Sequence, residues 1–427
     1  MPVGGFMRPS KILKRIKAVH PHLLLFLLAI GCTGAAGGVF HTTFNNFLDD
    51  VYQISAGTRG MLEFPRELPG LLVTLTAGVL AFMPETRVGA IAMGCTALGF
   101  TGLAAVGHID IGINSWYLMI VFMILWSVGQ HLIMPVRESI SMSLADREGR
   151  GRRLGQVRTV AAFSTIIGAA VVYLTTAGYE FPPYWITYGF GALFALGSAI
   201  LFVSMRNLGV QSKRPGLILR KRYWLYYVLS LLFGARKQIF LTFAPWVLVR
   251  VFGQQPTAFA VLWSVQAALS LLFIPAVGNA IDHWGERTVL IIDSMVIIGI
   301  CMIYGFAYHW GTLGLWLTFA CFVLDQLLFS VSMARYTYVS KIADDDEHVP
   351  ACLAMGVTMD HAMGMSTPAL GGWVWDRFGH EWVFVGAAGI ATLMGGFASL
   401  IHTGEPDEQP VRNETGQGET TERKHAE

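Results

Sequence analysis

The 427-residue chain is much more apolar than a soluble globular protein, because apolar residues make up 54% of it and charged residues only 14%. Its mean hydropathy is +0.52. The formal net charge of +2 gives no indication of a nucleic-acid partner. The five cysteines lack metal-ligand spacing, so neither a metal ion nor another cofactor is expected. No nucleophile motif of the Gly-x-Ser-x-Gly type and no phosphate loop occurs in the sequence, and an enzyme is therefore not expected.

Apolar stretches of membrane-spanning length follow one another along the whole chain. A helix crosses the ~30 Å of hydrocarbon in about 20 residues. The segments of about ten alternating residues that a membrane barrel needs are missing. The sequence therefore predicts an all-α integral membrane protein with twelve transmembrane helices. These spans, numbered 1 to 12, begin near His22, Thr58, Val88, Asn114, Gln156, Tyr184, Tyr223, Thr257, Thr288, Thr312, Pro350 and Trp382.

Basic residues are unevenly distributed between the loops on the two sides of the predicted bundle. They gather in the segments 8–17, 147–158 and 206–222, whereas the opposite loops hold Arg59, Arg250 and Arg377. Lys and Arg are retained on the cytoplasmic side of a membrane. We therefore expect a multi-pass protein of the cell membrane with both termini in the cytoplasm, surrounded by membrane lipids and functional as a monomer.

The two halves of the chain resemble each other. Shifted by 200 residues, Gly34, Ala35, Phe40, Thr42 and Leu48 coincide with Gly234, Ala235, Phe240, Thr242 and Leu248. Duplicated bundles can enclose a pathway and rock about it, which is the basis of alternating access in secondary transporters. The predicted domains are a cytoplasmic N-terminal segment 1–19, two six-helix bundles 20–205 and 223–402, a cytoplasmic linker 206–222 and a disordered cytoplasmic tail 403–427.

The turn after span 8 reads Gly-x-x-x-Asp-x-x-Gly-x-Arg, with Gly278, Asp282, Gly285 and Arg287 at the defined positions. Glycine permits a tight turn, and Asp and Arg can pair with or cap neighbouring helix ends. With its twelve spans, its duplication and its basic linker, the chain resembles the major facilitator superfamily, whose signature loop has this pattern. The resemblance implies a cavity lined by spans 1, 4, 7 and 10, and a gating role for the four loop residues. A plain polar turn is the alternative.

Charged residues within the spans are the main candidates for function, because an ionisable group at membrane depth costs ~2.5–3.5 kcal/mol and usually faces a wet cavity or a partner. Span 7 carries Arg236, Lys237 and Gln238 near the midplane. Neighbouring helical residues diverge by about 100°, so the two cations cannot point in one direction. Each of the two cations could contact the substrate or form a structural ion pair, and the sequence does not decide between these roles.

Further polar residues of the predicted cavity lie on spans 1, 4 and 10. Arg137 and Arg335 occupy equivalent places in the two halves. Their candidate ion-pair partners are Glu138 and Asp360 respectively. The two arginines could form ion pairs of an inner gate or bind an anionic substrate, and the sequence does not decide between these roles. The other candidate substrate ligands are Asp325, Gln326, Gln130 and His41.

Carboxylates and a histidine on spans 2 and 11 are candidates for proton coupling. Glu63, Arg66 and Glu67 are spaced i, i+3, i+4 and share one helix face, so the arginine can neutralise one glutamate and leave the other titratable. Asp360 and His361 on span 11 offer similar chemistry. The alternative for each residue is a satisfied network that packs helices together.

The sequence thus predicts a secondary active transporter that moves a small polar solute by alternating access. An anionic or zwitterionic solute and coupling to protons are options within this prediction. An exporter of amphipathic or drug-like compounds is the runner-up, although spans 4 and 5 lack the basic residue and the Gly-Pro pair of proton-coupled drug antiporters. A membrane sensor or receptor derived from a transporter is the alternative from another class.

Overall fold

The computed structural model describes residues 21–76, 83–108, 113–145, 150–206, 218–345 and 348–402. Helices account for nearly all of this part of the chain, and no strand occurs in it. The predicted segment 1–19, the tail 403–427 and linker residues 207–217 lie outside the described residues. The helices are Pro21–Tyr52, Ala56–Met61, Glu63–Thr76, Glu85–Val106, Ile113–Ser143, Arg150–Thr176, Tyr184–Ser204, Trp224–Arg250, Pro256–Phe306, Gly311–Leu328, Ser332–Ile342, His348–Phe378 and His380–Ala398.

Four of the predicted spans depart from the pattern of one separate helix for each span. Span 2 is divided between Ala56–Met61 and Glu63–Thr76, and span 10 is divided between Gly311–Leu328 and Ser332–Ile342. Spans 8 and 9 are joined in Pro256–Phe306, where the chain turns at Gly285 with φ of 76° and ψ of 161°. This φ disfavours every residue with a Cβ, which explains the glycine in the signature turn.

Seven stretches of the described residues are long and apolar enough to cross a membrane by length and composition, and one of them, Pro256–Ile342, contains spans 8, 9 and 10. The helices of spans 2, 7 and 11 are outside this set. These are also the helices that bring charged residues to the centre of the molecule, as described below. Spans 7 and 11 are outside the set because polar and charged residues lower their hydropathy, whereas the described helices of span 2 are too short for it.

The two halves repeat the same helix contacts. Span 1 packs on spans 5 and 6, and span 7 packs on spans 11 and 12. Gly34 lies so close to span 5 that a Cβ would be 2.6 Å from the Ala161 carbonyl oxygen, and a Cβ on Gly234 would be 2.8 Å from Cα of Asp360 on span 11. Small residues permit this approach of neighbouring helices in a membrane. The duplication in sequence is therefore also a duplication in packing.

Contacts between the halves are formed by span 2 with span 11 and by span 5 with span 8. We call the end of the bundle that carries Pro21 and Ile401 the terminal end, and the opposite one the distal end. At the distal end, Arg250 donates to Asp49 at 2.5 Å, and the Asn46 amide donates to the Gln254 carbonyl oxygen at 2.7 Å. Polar contacts thus close the distal end.

The start of span 2 strengthens this distal closure. Asp376 of span 11 accepts hydrogen bonds from Ser55 Oγ at 2.8 Å and from the Gly57 backbone amide at 2.9 Å. Its carboxylate therefore lies at the positive N-terminus of the helix Ala56–Met61, which is a favourable position for a negative charge. A residue of the second half thus caps a helix of the first half.

Candidate functional site

A buried group of ionic and polar side chains lies at mid-depth, where the two halves meet. We call it the interface cluster. It comprises Arg59, Glu63, Arg66 and Glu67 of span 2, His131 of span 4, Lys237 and Gln238 of span 7, and Asp360 and His361 of span 11.

Glu63 is fully buried and surrounded by donors from both halves. Arg59 contacts its Oε1 at 2.5 Å, and Arg66 Nε donates to its Oε2 at 2.7 Å. From the opposite half, Gln238 Nε2 donates to the same Oε2 at 2.5 Å. A buried carboxylate is tolerated only when it is paired and hydrogen-bonded in this way. Sequence reasoning missed Arg59, which it assigned to a loop although the side chain is buried.

Glu67 joins three helices. Its Oε1 pairs with Arg66 at 2.7 Å, and its Oε2 lies 2.9 Å from His361 Nδ1 and 3.8 Å from His131 Nε2. The His131 Nδ1 lies 2.9 Å from the Ser127 carbonyl oxygen, which can only accept. In neutral His131 the proton is therefore on Nδ1, and Nε2 directs a lone pair toward Glu67.

Gly70 makes room for the two imidazole rings, because a Cβ there would lie 2.6 Å from His131 Nε2 and from His361 Cε1. The ligand atoms of Glu67, His131 and His361 all lie within 4.8 Å of one another, a set that a divalent metal ion could use. The three cations and three carboxylates of the interface cluster already balance. A divalent ion would leave twice the uncompensated charge that a proton leaves.

Lys237 and Asp360 form the remaining pair of the interface cluster, with Nζ and Oδ2 2.6 Å apart. Their side chains are 19% and 20% exposed, so water reaches this pair. The sequence suggested Arg335 as the partner of Asp360, and the structure corrects this. The close approach of Gly234 to Asp360 places the carboxylate beside span 7, where Lys237 reaches it.

A second buried group, the bundle cluster, lies within the second half. Arg236 pairs with Asp293 of span 9 at 2.5 Å, and their side chains are 0% and 1% exposed. Asp325 of span 10 is also fully buried, with Gln326 as hydrogen-bond donor at 3.4 Å. The structure thus places Arg236 and Asp325, both predicted substrate ligands, in the interior of one half. Asp293 is buried with them.

Arg335 and Arg137 differ although they occupy equivalent places. Arg137 contacts Glu138 at 3.2 Å, and both side chains are about one-third exposed. Arg335 is buried, donates to Ser230 Oγ at 3.0 Å and lies 3.9 Å from the centre of the Phe233 ring. Within the part of the chain that the structure describes, Arg335 has no carboxylate at ion-pair distance.

A cavity of about 70 Å³ lies between the halves beside the interface cluster. Five of its eleven lining residues carry aromatic rings, and the rings of His41 and Trp263 from opposite halves lie 5.1 Å apart. Gln130 is half-buried on span 4 and lies outside the lining. Two predicted ligands, His41 and Gln326, are thus brought to one cavity. It is lined by Phe40, His41, Phe44, Asn45, Arg59, Arg66, Leu241, Pro245, Trp263, Phe322 and Gln326.

The signature turn lies at the terminal end. Asp282 and Arg287 are exposed, and neither forms an ion pair with another described residue. Glu286 is instead the buried residue of the turn and pairs with Lys341 of span 10 at 2.7 Å. A Cβ on Gly278 would meet open space. The predicted gating contact of Asp282 and Arg287 is therefore not formed in this conformation.

A family model described as Major Facilitator Superfamily matches residues 26–343 and 226–425. The chain belongs to this superfamily. No curated protein matches it significantly. The superfamily member is, as predicted, an all-α membrane protein, and its helical packing agrees with that of solved transporters.

Three solved structures illustrate the shared fold. A mutant form of the nucleoside transporter NupG is 15% identical, with a TM-score of 0.74, 89% of this chain covered and 100% of that one. A D-xylose-proton symporter is 13% identical, with a TM-score of 0.66, and the match covers 88% of this chain and 96% of that one. A bacterial homologue of the iron transporter ferroportin in an inward-facing state is 11% identical, with a TM-score of 0.70, and the match covers 89% of this chain and 99% of that one. At these identities the likeness concerns the fold alone.

Proposed function

We propose that this protein is a secondary active transporter that carries a small polar solute by alternating access. The observation that carries the proposal is the interface cluster, because its buried charges belong to both halves and close the path between them. Rocking of the halves would separate Gln238 from Glu63 and His361 from Glu67. Such paired charges at membrane depth mark substrate and ion pathways in transporters.

The basic-residue asymmetry supports a terminal end in the cytoplasm of a cell-membrane protein. With this orientation the closed distal end faces outward, and the described conformation is the inward-facing or occluded one. The pathway to the cytoplasm would pass the partly exposed Arg137 and Tyr336. The exposed Asp282 and Arg287 would then pair when this end closes, as the signature motif suggests.

Proton coupling is assigned to Glu67 with His361 and His131. Glu67 Oε2 and His131 Nε2 direct lone pairs toward each other at 3.8 Å, an arrangement that a positive charge stabilises. A proton taken up by His361 would strengthen its contact with Glu67 between the halves, and its release would weaken it, whereas the contact of His131 with Glu67 lies within the first half. Coupling of solute movement to a proton gradient would follow if the affinity for the solute differs between these two states of the contact.

In the described conformation the cavity of about 70 Å³ is smaller than a typical ligand site. Enlarged by rocking of the halves, it would suit a polar solute with a planar ring. Aromatic walls stack on such a ring, while Asn45, Gln326 and Arg66 provide donors and acceptors at its edge. Arg335, a buried cation with no carboxylate at ion-pair distance among the described residues, supports an anionic group on the solute as the second candidate.

The experiment is transport by the purified chain in proteoliposomes with an imposed proton gradient. Fractionated metabolites supply the solute, and thermal stabilisation identifies the fraction that binds. We expect uphill accumulation that a protonophore abolishes. Binding without flux would support the receptor alternative, and flux of amphipathic compounds alone would support the exporter. Asp344→Asn, which alters the exposed pair with Arg222 outside the interface cluster, serves as the matched control.

A further inference from the structure

A groove of about 880 Å³ lies between spans 3 and 6 at the terminal end, far from the cavity between the halves. The outward faces of these two spans are apolar and exposed, with Leu98 61% and Val203 72% accessible. Exposed apolar surface of this kind faces the hydrocarbon of the membrane. The groove is lined by Met83, Thr86, Arg87, Ala90, Ile91, Phe202, Val203, Met205 and Arg206.

Close helix packing gives the groove a firm floor. A Cβ on Gly89 would lie 3.0 Å from the Phe202 ring, so the small residue allows the two spans to approach. Phe202 is fully buried and also packs edge-on against Phe26 of span 1. The floor is therefore apolar and held by three helices, as a site for an acyl chain requires.

Two arginines mark the polar end of the groove. Arg87 lies in the first turn of Glu85–Val106, and Arg206 follows the end of Tyr184–Ser204. Both are exposed, and neither forms an ion pair with any residue that the structure describes. Glu85 precedes Arg87 by two positions and so projects from another side of the helix. Guanidinium groups bind phosphate oxygens through two parallel hydrogen bonds.

We propose that this groove binds an anionic phospholipid, with its phosphate between Arg87 and Arg206 and one acyl chain along Ile91 and Val203. Basic pockets between transmembrane helices recognise lipid head groups in this way. Retention of basic residues at one side of the membrane accounts for arginines at a membrane surface. It does not account for two arginines, unpaired among the described residues, at the end of an apolar groove.

Native mass spectrometry of the full chain in detergent tests the proposal with phosphatidylglycerol and phosphatidylcholine as probes. We expect tighter binding of phosphatidylglycerol, and a loss of about thirtyfold in Arg87→Gln/Arg206→Gln, while phosphatidylcholine binding stays unchanged. The control Arg152→Gln/Arg158→Gln removes two exposed arginines of span 5 at the same end and should retain the preference. A photoactivatable phosphatidylglycerol should crosslink within 83–91 and 202–206.

Equal loss in the two double variants would overturn the proposal, because it would indicate diffuse attraction to basic residues. Crosslinks confined to other helices would also contradict it. Displacement of the lipid by millimolar inorganic phosphate would indicate a site for a small anion in place of a lipid. Ala90→Trp fills the groove while keeping both arginines, and undiminished phosphatidylglycerol binding in this variant would contradict the acyl-chain position.

Discussion

The interface cluster and the bundle cluster contain the same kinds of residues, yet their partners differ. Arg236 pairs with Asp293 inside the second half, whereas the next residues, Lys237 and Gln238, reach Asp360 and Glu63 at the junction of the halves. Burial alone therefore does not distinguish a charge paired within one half from a charge paired between the halves. The better guide to function is whether the partners move relative to each other during alternating access.

Helix geometry explains how one span serves both clusters. Each residue turns the side chain by about 100°, so consecutive residues of span 7 face different neighbours. The first half has Ala36, Gly37 and Gly38 at the equivalent positions. Gly38 permits close contact with span 5, because a Cβ there would lie 2.5 Å from the Thr165 carbonyl oxygen. The two halves thus share the same helix packing but carry different side chains at these equivalent positions.

The largest effect is expected from breaking the bundle cluster. Arg236→Met leaves Asp293 buried without its cation, and we expect a loss of about 3–5 kcal/mol in the free energy of unfolding. The double variant Arg236→Met/Asp293→Leu should regain most of this loss and retain transport. Thermal unfolding in detergent and flux in proteoliposomes measure the two properties. A stable single variant that loses only substrate affinity would instead support Arg236 as a ligand.

The next effect concerns coupling in the interface cluster. In Glu67→Gln the side chain keeps its size, and Arg66 keeps Glu63 as its partner, so we expect a loss of at most ~1–3 kcal/mol in stability. Uphill accumulation should disappear while exchange of solute across the membrane remains. The same separation of accumulation from exchange should occur in His361→Gln. Full accumulation in both variants would place proton coupling elsewhere or exclude it.

A smaller effect is expected at the distal end. Arg250 and Asp49 are 41% and 19% exposed, so Arg250→Gln should cost no more than about 1 kcal/mol in stability. It should nevertheless shift the population toward conformations open at the distal end, because a contact made only in the closed state is lost. Spin labels on spans 1 and 7 would report longer distances. Unchanged distances would show that this ion pair does not hold the distal end closed.

The smallest effect on stability is expected in the signature turn. Asp282→Asn alters an exposed side chain without an ion pair among the described residues, so the unfolding temperature should not change. Transport should slow if Asp282 holds the terminal end closed in the other conformation. Glu286→Gln, by contrast, removes the buried partner of Lys341 and should lower the unfolding temperature. Normal transport by Asp282→Asn would remove the proposed gating role.

The sequence by itself determined the fold class and the family. Spanning helices are recognisable because hydrocarbon thickness demands about 20 apolar residues in succession, a property of each segment alone. The signature turn is likewise recognisable from its own residues, and its Gly285 adopts a backbone conformation that only glycine tolerates easily. The repeat is recognisable from a comparison of segments 200 residues apart. Charges within spans 2, 7 and 11 were also visible, because they interrupt this apolar pattern.

Only the tertiary structure decided which charges meet. Glu67 and His361 are 294 positions apart in the chain, and nothing in either segment specifies the other. Partner choice depends on how each helix is rotated about its axis and how deep it sits, which all its neighbours determine together. The assignment of Arg236 to the interior of one half, of Lys237 to Asp360 and of Arg59 to a buried network therefore required the packed bundle.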